Sequence, residues 1–221
     1  MFECILADCS FIDYKMSIKI IFGLGNIGAE YATTRHNAGA IVLRNLADLC
    51  SAEFVKNKFC NADITKLRVG TDIVVLAFCN GYMNNSGEGV KKALAFYKVK
   101  PNEVAVIYDD ISLDVGRVKI SVGGSSGGHN GVADIMQKIG NDFVRIRIGI
   151  GAKTFKEMPL ADYVLGKLSE SDIKAIKSFD IKTCFAVLVA EGVAQVQNIF
   201  NRKVEAEKEN PKDDFSEKAC S

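Results

Sequence analysis

Apolar residues along this chain alternate between two periodicities. Residues 18–25 form a short β-branched run closed by glycine and predict a buried strand. Ala38, Ile41, Val42, Leu46 and Leu49 then recur at helical spacing, predicting an amphipathic helix over 36–50. Residues 63–69 and 72–78 read as two strands joined by a turn at Gly70. Residues 86–97 read as a helix with Val90, Leu94 and Tyr97 on one face. Beyond Pro101 the pattern gives a strand at 103–108, a strand at 117–122, a glycine-rich loop, a helix at 132–139 and a strand at 143–150. Ser169-Glu-Ser-Asp172 has the form of a capping box, and 173–200 is mostly helical with a break near Gly192.

Strands interleaved with helices predict an α/β fold, a single-domain three-layer sandwich whose mixed, largely parallel central sheet is flanked by helices. Ligands of such sheets collect at the carboxyl ends of strands. The polar segments fall there: GNIGAEYATTRHN, CNGYMNNSG, YDDISLD and GGSSGGHNG.

Composition narrows the classes. With 48% hydrophobic and 25% charged residues, the 221-residue chain has an ordinary globular balance, and its net charge of +1 does not announce a nucleic-acid binder. No apolar run approaches the ~20 residues that span a bilayer. Seven scattered cysteines, none in a C-x-x-C pair, and only two histidines leave few ligand sets for structural zinc. Reduced thiols point to the cytoplasm. Residues 1–16 carry early acids where a signal peptide has positive charge, and are expected to be an extension outside the core, with Met16 a possible start. The core domain is expected over 17–201, followed by a charged, disordered tail at 202–221.

Gly23-Leu-Gly-Asn-Ile-Gly28 matches the dinucleotide pattern G-x-G-x-x-G. A dinucleotide-binding helix begins within those glycines, whereas AEYATTRHN intervenes here, and the nearest acid, Asp48, falls in a helix. Gly123-Gly-Ser125-Ser-Gly127 matches the serine-hydrolase elbow G-x-S-x-G, but the only later histidine is His129 in the same loop, with no acid between them. His36 lies in a polar segment at a helix start, where the dipole favours neutral imidazole suited to a general base. Asp109 or Asp110, at a strand's carboxyl end, is the natural orienting partner. Asn26, Asn84 and Asn130 each occupy a polar loop, where an amide offers a peptide both donor and acceptor. In Arg145-Ile-Arg147 both arginines lie on one side of a strand, an arrangement that could serve phosphate.

Together these segments resemble the bacterial-type peptidyl-tRNA hydrolase family. The stretches are GLGNIGAEYATTRHNAGA (23–40), GYMNNSGEGV (81–90), VIYDDISLDVGRVKI (106–120), GGSSGGHNGVADI (123–135), RIRIGIG (145–151) and DYVLGKLS (162–169), in order across about 18–200. The resemblance implies a monomeric cytoplasmic enzyme that cleaves the ester between peptide and tRNA, without metal, cofactor or membrane. It makes His36 the base that activates water and Asp109 the residue that orients it. Asn26, Asn84 and Asn130 would bind peptide and the reacting water, and Tyr31, Met83 and His129 would belong to the same substrate-binding cleft. Lys119 and Arg147 are the expected tRNA phosphate contacts. The loop departs from the family in carrying Ser125-Ser126, and Ser112 stands where an acid is common. Rival expectations are an RNA-binding module without hydrolytic activity and, more distantly, a nicotinamide-dependent oxidoreductase.

Overall fold

The computed structural model describes residues 18–153 and 157–202. The expected extension at 1–16 and the tail beyond Arg202 lie outside the described residues.

Seven strands form one sheet: β1 (Ile20–Gly23), β2 (Val55–Asn57), β3 (Ala62–Val69), β4 (Asp72–Cys79), β5 (Val104–Asp110), β6 (Val118–Val122) and β7 (Val144–Gly149). Their order is β2-β3-β4-β1-β5-β7-β6. The central four are parallel, and β2, β3 and β6 add antiparallel edges, so the sheet is mixed as expected. The continuous apolar runs of β1 and β5 are buried along nearly their whole length, as strands covered on both faces must be.

Helices complete three layers. One face carries α1 (Ala38–Leu49), α5 (Glu170–Lys177), α6 (Ile181–Ala190) and α7 (Val193–Phe200), which share a core built on Leu43, Leu46, Ile107, Ile146 and Leu188. The other carries α2 (Ser86–Tyr97) and α3 (Asn130–Ile139), packed on Phe22, Val75, Val106 and Phe143. The short α4 (Leu160–Leu165) lies beside the turn that holds His36. At α5 the predicted capping box is present: the Ser169 hydroxyl accepts from the Asp172 amide at 3.1 Å, and Asp172 accepts from the Ser169 amide at 3.2 Å. The helical run breaks at Gly192 as predicted and also at Asp180, whose carboxylate caps α6 through the Thr183 amide.

Two local choices aim the site. The predicted helix at 36–50 starts instead as a 3-10 turn, Arg35–Asn37, with α1 following from Ala38. Gly39, in the first turn of α1, lies so close to β5 that an added Cβ would stand 2.1 Å from the Ile107 carbonyl oxygen. Its missing side chain brings the helix start against the carboxyl end of β5. β1 leads toward β4 on one side and β5 toward β7 and β6 on the other, the condition that opens a crevice between strand ends.

Candidate active site

His36 and Asp109 meet at that crevice. His36 is held in its 3-10 turn from outside: the Arg35 amide donates to the Gly166 carbonyl at 3.0 Å, and the Arg35 guanidinium stacks over Tyr163 at 4.6 Å. Asp109 is the penultimate residue of β5. Both are buried, at 7% and 4% exposure. His36 Nδ1 stands 2.9 Å from Asp109 Oδ1 and 3.1 Å from Oδ2.

A second imidazole shares the carboxylate. His129 Nε2 is 3.0 Å from Asp109 Oδ1, and the two rings stand 4.7 Å apart. His129 also caps α3, its Nδ1 accepting from the Val132 amide at 3.2 Å. An acceptor nitrogen carries no proton, so the His129 proton sits on Nε2 and is donated to Asp109. The carboxylate likewise draws the His36 proton to Nδ1, leaving Nε2 with a free lone pair. Burial alone would raise the Asp109 carboxyl. The two imidazoles, His129 foremost, outweigh burial and hold it well below the usual carboxylate range. His36, Asp109 and His129 are also the one group among the described residues whose ligand atoms converge as metal ligands would. His129 faces the carboxylate with Nε2, and freeing that nitrogen for a metal would set a proton on Nδ1 against the Val132 amide.

Several of the expected site residues line two cavities. One, of about 340 Å³, is lined by His36, Asp109, His129, Asn130, Ser112 and Arg147. The other, of about 670 Å³, has Asn26 in its wall. Tyr31, Met83 and Asn84 line neither. Met83 is nevertheless tied to Asn26, whose Oδ1 accepts from the Met83 amide at 2.7 Å. Asn26 can therefore offer a substrate its Nδ2 donors. Asn84 and Asn130 are exposed, and their side chains make no hydrogen bond among the described residues. Lys119 and Arg147 are register partners on β6 and β7. Lys119 is exposed, whereas Arg147 Nε donates to Asp110 Oδ2 at 2.6 Å. Burial would raise Asp110, but hydrogen bonds from Ser112 and the Arg147 guanidinium lower it.

Two residues gain roles that sequence reasoning missed. Asn37 holds the main chain of Asn26 in both directions, its Oδ1 accepting from the Asn26 amide at 2.9 Å and its Nδ2 donating to the Asn26 carbonyl at 3.0 Å. Its position beside His36 at a helix start was the available signal. Arg145 shares a strand face with Arg147, as predicted, yet it is 2% exposed. Its guanidinium donates to the carbonyls of Ser125 and Gly124 and to the Asn141 side chain, so it braces the glycine loop and does not face phosphate.

The two motif matches resolve on the same geometry. Gly28 leads only into a 3-10 turn, Ala29–Tyr31, and α1 opens beyond it at Ala38, where the Ala40 amide of its first turn donates to the Leu24 carbonyl at 2.9 Å, so the glycines do not themselves open the helix and this amide is already taken by the chain. Ser125 has its carbonyl on Arg145, while both nitrogens of His129 are engaged by Asp109 and Val132, leaving no serine–histidine pair.

Fold and site thus define an α/β protein with a buried His–Asp pair at the sheet's topological switch. The peptidyl-tRNA hydrolase family model matches residues 20–210. A peptidyl-tRNA hydrolase of Lachnoclostridium phytofermentans is 43% identical, covering 83% of this chain and 97% of the relative, and one of Francisella tularensis is 39% identical, covering 85% and 94%. The crystal structure of peptidyl-tRNA hydrolase from Acinetobacter baumannii superposes with a TM-score of 0.77 at 33% identity, covering 86% of this chain and 97% of that one. The chain belongs to the peptidyl-tRNA hydrolase family. Among the described residues no helix is long and apolar enough to cross a membrane.

Proposed function

We propose that this chain hydrolyses the ester between the peptide and the terminal ribose of tRNA, with water as the nucleophile and His36 as the base. The observation that carries this reading is the buried contact of His36 Nδ1 with both Asp109 oxygens, which leaves Nε2 free to accept a proton. As a water oxygen attacks the ester carbonyl, His36 Nε2 takes its proton, and the ionised Asp109 stabilises the imidazolium. The amides of Asn26, Asn84 and Asn130 donate to the oxyanion and hold the peptide, within a cleft to which Tyr31, Met83 and His129 also belong. Collapse expels the ribose oxygen, which recovers the proton from His36. An ester is activated relative to an amide, so one oriented base and amide donors suffice.

No acyl-enzyme forms in this scheme, and neither metal nor cofactor takes part. Lys119 and Arg147 contact tRNA phosphates, Arg147 with its charge already partly matched by Asp110. Residues 17–201 act as one monomeric cytoplasmic domain.

Release of tRNA from an N-blocked aminoacyl-tRNA tests the reading in the native chain and in His36→Ala. Activity is expected to fall by roughly 100- to 10,000-fold, the range of a lost general base. Single turnover in ¹⁸O water is expected to place one label in the freed carboxylate. Full activity in His36→Ala would refute the mechanism, and tRNA binding without turnover in the native chain would leave a binding module.

A further inference from the structure

Apart from Asn26 in its wall, the larger cavity, about 670 Å³, is not used by the chemistry above. We infer that it is a subsite for the distal part of the peptide, taking an acidic side chain three to five residues from the ester. This rests on the substrate reading just proposed.

Position comes first. Along the strand order, the proposed phosphate contacts Lys119 and Arg147 lie on β6 and β7, Asp109 on β5, and Asn26 just beyond β1. The cavity lies further along the same line, against Phe78 at the end of β4 and the hairpin of β2 and β3. Hydrolysis at His36 divides the substrate into tRNA on one side and peptide on the other, so the peptide runs toward this cavity. Strands stand ~4.8 Å apart, which puts β4 and β3 about 10 and 15 Å from β5. An extended chain covers ~3.3 Å per residue, so the third to fifth residue from the ester reaches it. The walls are continuous with the site: Asn26 and Asn37, the latter next to His36, line it directly.

Charge then selects the side chain. Arg44, Lys56 and Lys58 line the cavity against one acid, Asp63. Asp63 Oδ1 accepts from Asn80 Nδ2 at 3.0 Å. The Arg44 guanidinium lies over the Phe78 ring at 4.4 Å, which leaves its edge donors available. None of the three cations has a carboxylate within 4.0 Å among the described residues. The cavity is therefore electropositive and complementary to aspartate or glutamate. RNA phosphate has the same sign, but the proposed tRNA contacts occupy the opposite end of the sheet.

The test uses the full chain and substrates that share one tRNA and one C-terminal residue. Each carries a glycine-rich pentapeptide with Asp, Asn or Lys at the third, fourth or fifth residue from the ester. At one or more of these positions, kcat/KM is expected to favour Asp over Lys by about fivefold, the scale of one partly screened ion pair. The double variant Lys56→Glu/Lys58→Glu should invert that order. An N-acetyl-aminoacyl-tRNA, too short to reach, should be hydrolysed equally by both proteins and so reports on folding. Equal rates for Asp and Lys at every position, or an unchanged preference in the variant, would overturn the subsite. Uniform weakening of every substrate would assign the cations to tRNA and overturn it too. No turnover of even the short substrate by the native chain would instead refute the hydrolase reading, and the subsite with it.

Discussion

Replacing Asp109 with asparagine probes the site at the point where its hydrogen bonds converge. Asp109 Oδ1 receives both imidazoles, at 2.9 and 3.0 Å, and Oδ2 receives His36 again at 3.1 Å. Asparagine keeps one acceptor and introduces a donor. With its oxygen at Oδ1, its amide nitrogen opposes the His36 Nδ1 proton. With the amide flipped, His36 must move its proton to Nε2 and ceases to be a base. In either arrangement the imidazolium formed during reaction loses its counter-charge. The expected fall in kcat is roughly 10,000-fold, the scale known for replacing the orienting carboxylate of a histidine base. KM should change little, since Asp109 is buried and meets the substrate only through His36 and His129. Single-turnover release of tRNA from a peptidyl-tRNA measures this directly.

Stability gives a second readout with a definite sign. The folded Asp109 carboxyl lies below its unfolded value, so its stabilisation is present above the unfolded pKa and is lost as pH falls through the folded one. The stability advantage that Asp109 gives the native chain over Asp109→Asn should shrink as pH falls below about 4, where the unfolded carboxylate of ~3.9 binds its proton. A kcat within threefold of native, in a variant that keeps its fold, would refute the orientation argument.

Asn37→Ala removes two hydrogen bonds to the Asn26 main chain, so about 1–3 kcal/mol should be lost in urea denaturation together with a several-fold fall in kcat/KM; an unchanged KM and kcat would show that the loop holds itself. Gly39→Ala sets a Cβ against the Ile107 carbonyl and should cost about 1–3 kcal/mol as α1 moves off β5, with activity falling further than the residual fold predicts; a native-like midpoint would refute the close-approach role. Burial, aided by Asp180, pushes the Cys184 thiol up to about 12, so at pH 8 iodoacetamide should leave it unlabelled in the native chain and label it on denaturation; rapid native labelling would contradict that burial.

Much of this geometry was legible along the chain because the signals are local. β1, β5 and β7 at the sheet's centre are β-branched and close on glycine or acid, and His36, Asp109 and the asparagine loops fall near the carboxyl ends of the central strands. What was missed depends on partners distant in sequence. β2 is three residues at the sheet edge with an exposed valine and lysine, so burial writes no alternation into it. Arg145 and Arg147 look equivalent as alternate residues of one strand. Whether their shared face meets solvent or a loop is decided by residues 124 and 125, about twenty positions away. The bond between His129 and Asp109 is of the same kind, spanning twenty residues between a strand end and a helix cap.

That bond has a consequence for how the base is governed. The Val132 amide is one of the unpaired donors at the start of α3, and it fixes His129 Nδ1 as an acceptor. The tautomer of His129 then follows, and with it one of the donors received by Asp109. Asp109 must spread its lone pairs over two imidazoles, so its hold on His36 depends on where α3 begins. The start of α3 depends in turn on the loop at 123–129, whose carbonyls are braced by the buried Arg145. A glycine loop that resembles a nucleophile elbow thus serves a different end. It delivers a histidine cap to the same carboxylate oxygen that receives the base, and the reacting nitrogen is the one ring position of the pair left without a partner among the described residues.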